Sequence, residues 1–211
     1  DTVTLQFTTS EALLSNPTCT INDGDGNAMA GTVTVDNTNL VYSCTVTVAD
    51  DDGDGTMSYS IAFTDAAGNA GTPVTSGTGS VDIDNTHPTL SSVSIVTDGD
   101  GDASNADTVT LQFTTSEALL SNPTCTINDG DGNAMAGTVT VDNTNLVYSC
   151  TVTVADDDGD GTMSYSIAFT DAAGNAGTPV TSGTGSVDID NTHPTLSSVS
   201  IVTDGDGDAS N

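Results

Sequence analysis

Lysine and arginine are both absent from this chain of 211 residues, against 30 Asp and Glu, so its formal charge is −30. Without a cation to neutralise phosphates, nucleic acid binding is excluded as a function. An anionic membrane surface repels such a chain as well. Missing lysine also rules out Lys–Asn isopeptide cross-links. Tryptophan is absent, and Phe and Tyr make up only 4% of residues, so any core is thin and aliphatic. No apolar run approaches the length of a membrane span, and nothing reads as a signal peptide. His87 and His193 are the only histidines, each followed by proline, with no activated nucleophile near it in sequence. A catalytic role is therefore not expected.

What remains is alternation and repetition. Apolar residues make up 35% of the chain and recur at every second position, which fits small β-domains better than disorder. Residues 1–105 and 107–211 are identical, with Ala106 between them, so the period is 106. Identity over a whole domain exceeds what a fold requires; it points to recent duplication in an array of units with one mechanical job.

Within the first period, Val3, Leu5 and Phe7 share one strand face. Cys19 and Ile21 follow, then a strand over residues 32–35. Tyr42, Cys44, Val46 and Val48 form the next inward face, and Met57, Tyr59, Ile61 and Phe63 the most apolar one. Val81 and Ile83 close the unit. Asn85-Thr86-His87-Pro88 then makes a stiff joint, because proline has no N–H and restricts the residue before it. Val93 and Ile95 alternate with serines and open a new strand. Seven short strands rich in Thr and Val, with turns at regular spacing, read as a two-sheet sandwich.

Three stretches in this period, DTVTLQFTTSEAL, FTDAAGN and VDIDNTHPTL, resemble in order the bacterial immunoglobulin-like tandem repeats, the extender domains, of large surface adhesins. The resemblance covers the whole period. It implies an all-β chain of tandem immunoglobulin-like seven-stranded β-sandwiches that hold an adhesive tip away from the cell, often with calcium at their joints. The cysteine pair and the rich Asp/Gly insertions depart from the usual pattern. Neither the adhesive target nor the export route is implied. The expected division is residues 1–85, a sandwich lacking its first strand; residues 86–191, a complete sandwich; and residues 192–211, the first strand of a further repeat. That last strand is expected to complete a unit beginning at a copy of Asp1, by continuation of the polypeptide rather than by exchange between subunits.

The acids cluster in turns. Asp23, Asp25 and Asn27, then Asp50, Asp52 and Asp54, then Asp98, Asp100 and Asp102, fall in connections expected at one pole of an alternating sandwich, with Asp82 and Asp84 at the end of the last strand. Their copies are Asp129, Asp131 and Asn133; Asp156, Asp158 and Asp160; Asp204, Asp206 and Asp208; and Asp188 and Asp190. The opposite pole carries Glu11, Asp65 and Asn69, copied as Glu117, Asp171 and Asn175. Alternate acids with glycines between them match the first half of a calcium loop. The twelfth-position Glu of a full EF-hand is absent, because Ile61 stands there. Carboxylates about 5 Å apart repel by roughly 3 kcal/mol at an effective dielectric near 20, and a hard dication removes that cost. Calcium is thus the expected cofactor, with Asp65, Glu117 and Asp171 as metal candidates beside the loops. The alternative is that Asp and Gly only build solvated turns.

Four cysteines allow three pairings, and the repeat leaves Cys19–Cys44 and Cys125–Cys150. Disulfides suit an extracellular or cell-surface setting. The expected partners are neighbouring identical repeats or subunits in a fibre. Three rivals remain: domains that themselves hold a glycan, ice or protein ligand on outward threonines such as Thr2, Thr4, Thr45 and Thr47; a hydrolase accessory region; and a donor-strand-exchanged fibre subunit.

Overall fold

Wherever apolar and β-branched residues alternate with polar ones, the chain forms strands that bury one face. The computed structural model describes residues 1–36, 40–99, 101–142 and 145–202, and is all-β, with no helix among the described residues. It separates into two units, Asp1–Pro88 with Thr170–Ala176, and Thr89–Phe169 with Gly177–Asn211.

In the first unit, β1 (Thr2–Thr8), β2 (Thr18–Asn22), β3 (Gly31–Asp36), β4 (Val41–Thr47), β5 (Gly55–Thr56), β6 (Ser58–Ala62) and β7 (Asp82–Ile83) follow in order. They make a three-stranded sheet, β1-β4-β3, and two pairs, β2-β6 and β5-β7. All these pairings are antiparallel. The core draws on both layers: Cys44 and Val46 of β4 meet Ile21 of β2. Cys19 on β2 is bonded to Cys44 on β4, with Cα atoms 6.4 Å apart, so the disulfide ties the two layers together.

The second unit contains β8 (Leu90–Thr97), β9 (Thr108–Thr115), β10 (Thr124–Asn128), β11 (Gly137–Asp142), β12 (Val147–Thr153), β13 (Gly161–Thr162), β14 (Ser164–Ala168) and β15 (Asp188–Ile189). Its larger sheet has four strands, in the order β11-β12-β9-β8, opposite the pairs β10-β14 and β13-β15. The added strand is β8. It lies antiparallel to β9, from Leu90 opposite Thr115 to Thr97 opposite Val109, with a bulge between Ser91 and Ser94. Thr184 holds its other side: its N–H donates to Val93 O at 2.8 Å, and its carbonyl accepts from Ile95 N at 3.0 Å. Cys125–Cys150 repeats the disulfide between layers.

Because the repeats are identical, the effect of β8 can be read directly. With it, Val109, Leu111 and Phe113 have no exposed surface. Without it, their counterparts Val3, Leu5 and Phe7 are only half-buried. Val187 is buried at 3% exposure, whereas its counterpart Val81 is 43% exposed.

One expectation needs correction. The strand expected to run from Met57 to Phe63 is shorter, Ser58–Ala62 paired with β2, and the chain just before it changes partner: Gly55–Thr56, expected as a turn, pairs with β7. Met57 sits at the switch and still donates its N–H to Val81 O. The tail, expected to complete a further repeat, forms no strand within this chain over residues 192–202; the rest of it lies outside the described residues. A strand needs a ladder partner, and among the described residues this segment has none.

Candidate functional site

In each unit the backbone gathers three acidic stretches at one end. Gly24 N–H donates to Gly53 O and Gly53 N–H to Asp23 Oδ2, which joins the 23–27 turn to the 49–54 turn. Asp54 accepts from Asn85 N–H at 2.6 Å and from the Thr86 hydroxyl. Asn85 Nδ2 in turn donates to the carbonyls of Ala49 and Asp52. The second unit repeats this with Asp129 and Gly159, Asp160 with Asn191 and Thr192, and Asn191 with Ala155 and Asp158. There the 98–107 connection joins the group. Ala103 N–H donates to Asp188 O, and Asp190 N–H to Ala103 O, so Asp98 and Asp102 belong to a loop docked beside Asp188 and Asp190. Asp100, Asp204, Asp206 and Asp208 lie outside the described residues.

Several of these carboxylates serve as turn braces. Asp23, almost fully buried, accepts from Asn27 N–H at 2.7 Å, from Asn27 Nδ2 at 3.1 Å and from Gly53 N–H at 3.0 Å. Asp129 accepts from Asn133 and Gly159 in the same way. Asp65 takes Asn69 N–H, Asn69 Nδ2 and Ala67 N–H. The spacing Asp-x-x-x-Asn thus marks a closed turn, in which the Asn amide and backbone both return to the carboxylate. Asp52 and Asp158 accept from the N–H of Ala49 and Ala155 three residues back.

The titrations follow these bonds. Gly53 N–H, opposed by burial and helped by the Asn27 donors, lowers Asp23 below its ordinary value, and Gly159 N–H does the same for Asp129. The Thr86 and Thr192 hydroxyls lower Asp54 and Asp160. Asn69 lowers Asp65. Asp171 is fully buried, and burial is the largest single influence on it, pushing it up. Its donors from Asn175, Gly174 and Ala173 together outweigh that and leave it lowered.

At the other end of the first unit, Glu11, Asp65 and Asn69 line a cleft of about 580 Å³ with Phe7, Phe63 and Val74. The Thr170–Ala176 loop groups with this unit, where Asn175 Nδ2 donates to Asp84 O at 2.8 Å. There Asp84 and Asp171 bring carboxylate oxygens within 4.8 Å of each other. Glu117 belongs to the second unit. Asp25, Asp50, Asp82, Asp131 and Asp156 sit on the acidic turns or beside them, and Asp82 accepts from the Thr56 hydroxyl.

The residue that sequence reasoning missed is the asparagine ending each period. Asn191 brackets the 155–160 turn from end to end, and its Oδ1 is buried with no hydrogen-bond partner among the described residues. The signal available was only its place after the last Asp of a strand, which turn-forming asparagines share.

The outward threonines line the exposed sheet face in register, with Thr2 opposite Thr47, Thr4 opposite Thr45, and the Thr32 and Thr45 hydroxyls 2.8 Å apart. Among the described residues no helix is long and apolar enough to cross a membrane.

No family model and no curated protein matches the chain. A solved structure, a tetra-tandem repeat in the extending region of a large adhesion protein, is similar over 89% of this chain at 22% identity and a TM-score of 0.40. The match spans 45% of that protein's chain.

Proposed function

We propose that the chain is a non-enzymatic extender segment of an extracellular or cell-surface adhesin fibre, built from immunoglobulin-like β-sandwiches. The observation that carries this reading is the identity of residues 1–105 and 107–211 over a whole disulfide-tied unit. Selection for a binding site or a reaction acts on a few residues; selection for length and stiffness acts on every copy alike. The short connection between β7 and β8, residues 84–89, suits stacking of units in a row.

Calcium is proposed as the stiffening ion. In its favour, each acidic end offers hard oxygen donors and no cationic side chain. Asn191 Oδ1, buried and unpartnered, is an oxygen of the kind calcium takes, and it adjoins the turns of Asp158 and Asp160. The turn-bracing carboxylates Asp23, Asp65, Asp129 and Asp171 have most of their capacity in N–H bonds, so the proposed ligands are mainly the remaining acids of those turns. An ion there would neutralise acids that otherwise repel and would hold the turns at one spacing.

Small-angle scattering of two-, four- and six-repeat proteins tests both parts. An extender lengthens by roughly 35–45 Å per repeat, given strands of eight to ten residues plus a joint. A maximum dimension that stops growing with repeat number sinks the extender reading. Equal dimensions and equal melting temperatures in calcium and in chelator sink only the calcium part.

A further inference from the structure

In the second unit the first and last stretches of chain run side by side and meet at two points. At the first, Thr184 N–H donates to Val93 O at 2.8 Å, the Thr184 hydroxyl donates to the same carbonyl at 3.1 Å, and Ile95 N–H donates to Thr184 O at 3.0 Å. At the second, Ala103 N–H donates to Asp188 O at 2.7 Å and Asp190 N–H to Ala103 O at 2.9 Å. Ser94 is bridged to Thr184 and Ala103 to Ile189, both in the parallel sense, so the two stretches point the same way. Ile95, Ala103 and Ile189 are buried, which keeps water from these bonds. Glycines permit the close approach. A Cβ on Gly183 would lie 2.5 Å from Val93 O, and one on Gly185 would lie closer still to Ile95 O. Gly-Thr-Gly therefore lets a single residue lie flat against β8 and bond it through both backbone groups.

We propose that Gly183-Thr184-Gly185 is a mechanical clasp, which holds β8 in the unit against a pull along the chain. Such a pull enters the unit at the leading end of β8, at Leu90, and leaves beyond Ile189. Because the two stretches are parallel, the pulled ends lie at opposite ends of the pair. Drawing them apart slides one stretch along the other and strains all five hydrogen bonds together. In an antiparallel pair the pulled ends would lie side by side, and the bonds would open one at a time. Forced unfolding is governed by the height of the barrier rather than by equilibrium stability. A few bonds that must break at once therefore count for more under load than in a melt. The body of the unit, from β9 to β14 with the Cys125–Cys150 bridge, lies between the two loaded stretches in sequence and supplies none of the five bonds. It stays packed until the clasp slides. The use of the clasp rests on the fibre reading, since only a tethered chain is pulled; its bonds do not.

Force-clamp spectroscopy of the 211-residue chain, held at its two ends, tests the clasp beside thermal melts of the same variants. Gly183 has no positive φ, so alanine there acts by pushing Val93 O away and not through backbone strain. Gly183→Ala should raise the unfolding rate of the second unit at fixed load at least about tenfold, the effect of roughly one hydrogen bond lost from the barrier. Thr184→Val removes only the hydroxyl bond, at an exposed position that does not threaten the fold, and should raise the rate about threefold. It carries the test if Gly183→Ala fails to fold. Val152→Ala is the control: Val152 is buried on β12, which β9 separates from β8. It should lower the melting temperature at least as far as Gly183→Ala does, yet raise the loaded rate no more than about twofold, because its packing is intact when the clasp gives way. A loaded rate that follows the melting temperature through all the variants, or that Thr184→Val and Gly183→Ala leave unchanged, overturns the clasp. Either result leaves the extender reading standing, because scattering measures length per repeat without unfolding anything.

Discussion

Ile95 stands directly opposite Leu111 across β8 and β9, and both side chains are withdrawn from water. Leu5, the copy of Leu111 in β1, has no such neighbour among the described residues and is only half-buried. This one pairing accounts for much of the difference between β1 and its identical copy β9.

Leu111→Ala should therefore cost the second unit about 3 kcal/mol, within the usual range for a fully buried leucine. Leu5→Ala should cost the first unit about 1 kcal/mol, since less surface is lost from contact. Denaturant unfolding at dilutions where the chain is monomeric should show two transitions, with the first unit melting earlier. Equal costs at the two positions would mean that β8 contributes little.

Gly79 and Gly185 both adopt a positive φ, 83° and 82°. Alanine at either should cost about 1 kcal/mol from backbone conformation alone. At Gly185 the added methyl also meets Ile95 O, which a Cβ would approach to 2.3 Å. Gly185→Ala should consequently destabilise its unit clearly more than Gly79→Ala does. Thermal melts of the two single variants make the comparison.

Each disulfide closes a loop with a sequence separation of 25. In the chain-entropy view that is worth roughly 3 kcal/mol, a large share for a core without tryptophan. Alkylation without reductant should leave all four cysteines unmodified in the intact mass. Reduction should lower the melting temperature of both units. Four alkylated cysteines in unreduced protein would remove the bridges from the account.

Asp129 is held below its ordinary value of 3.8, chiefly by Gly159 N–H. A carboxylate lowered on folding adds stability that is fully present above its unfolded value. That stability is lost as the pH falls through the folded value. Acid also relieves repulsion among the many exposed carboxylates, which acts the opposite way. The comparison with Asp129→Asn separates the two effects. The variant should melt several degrees lower at neutral pH, because its amide confronts the N–H groups of Gly159 and Asn133. The gap should narrow below about pH 3.8. A gap independent of pH would show that the charge on Asp129 is not what braces the turn.

Strand positions were readable because Val3-Leu5-Phe7 and Tyr42-Cys44-Val46 alternate without interruption, and a period of two has one structural meaning. The gathering of the 23–27, 49–54 and 84–86 stretches was readable from the same alternation, since successive turns lie at opposite ends. The break at Met57 was not, because a change of partner leaves the apolar pattern intact. Nor was the role of Asp23 readable: Asp and Asn four apart serve equally as a turn brace or as ligands, and only the N–H groups returning to the carboxylate distinguish them. The bracket made by Asn85 and Asn191 depends on carbonyls more than thirty residues away, which no local spacing encodes.

The segment that becomes β8 matches the edge of β1 as well as that of β9, since the two copies are identical. Its sequence carries no address. What directs it is tethering: the few residues from Thr97 to Thr108 hold it beside its own β9 at an effective concentration far above that of any distant edge. An array of this kind therefore keeps its strands in order by chain connectivity. Lengthening that tether with a flexible insert should scramble the order before it weakens a single repeat.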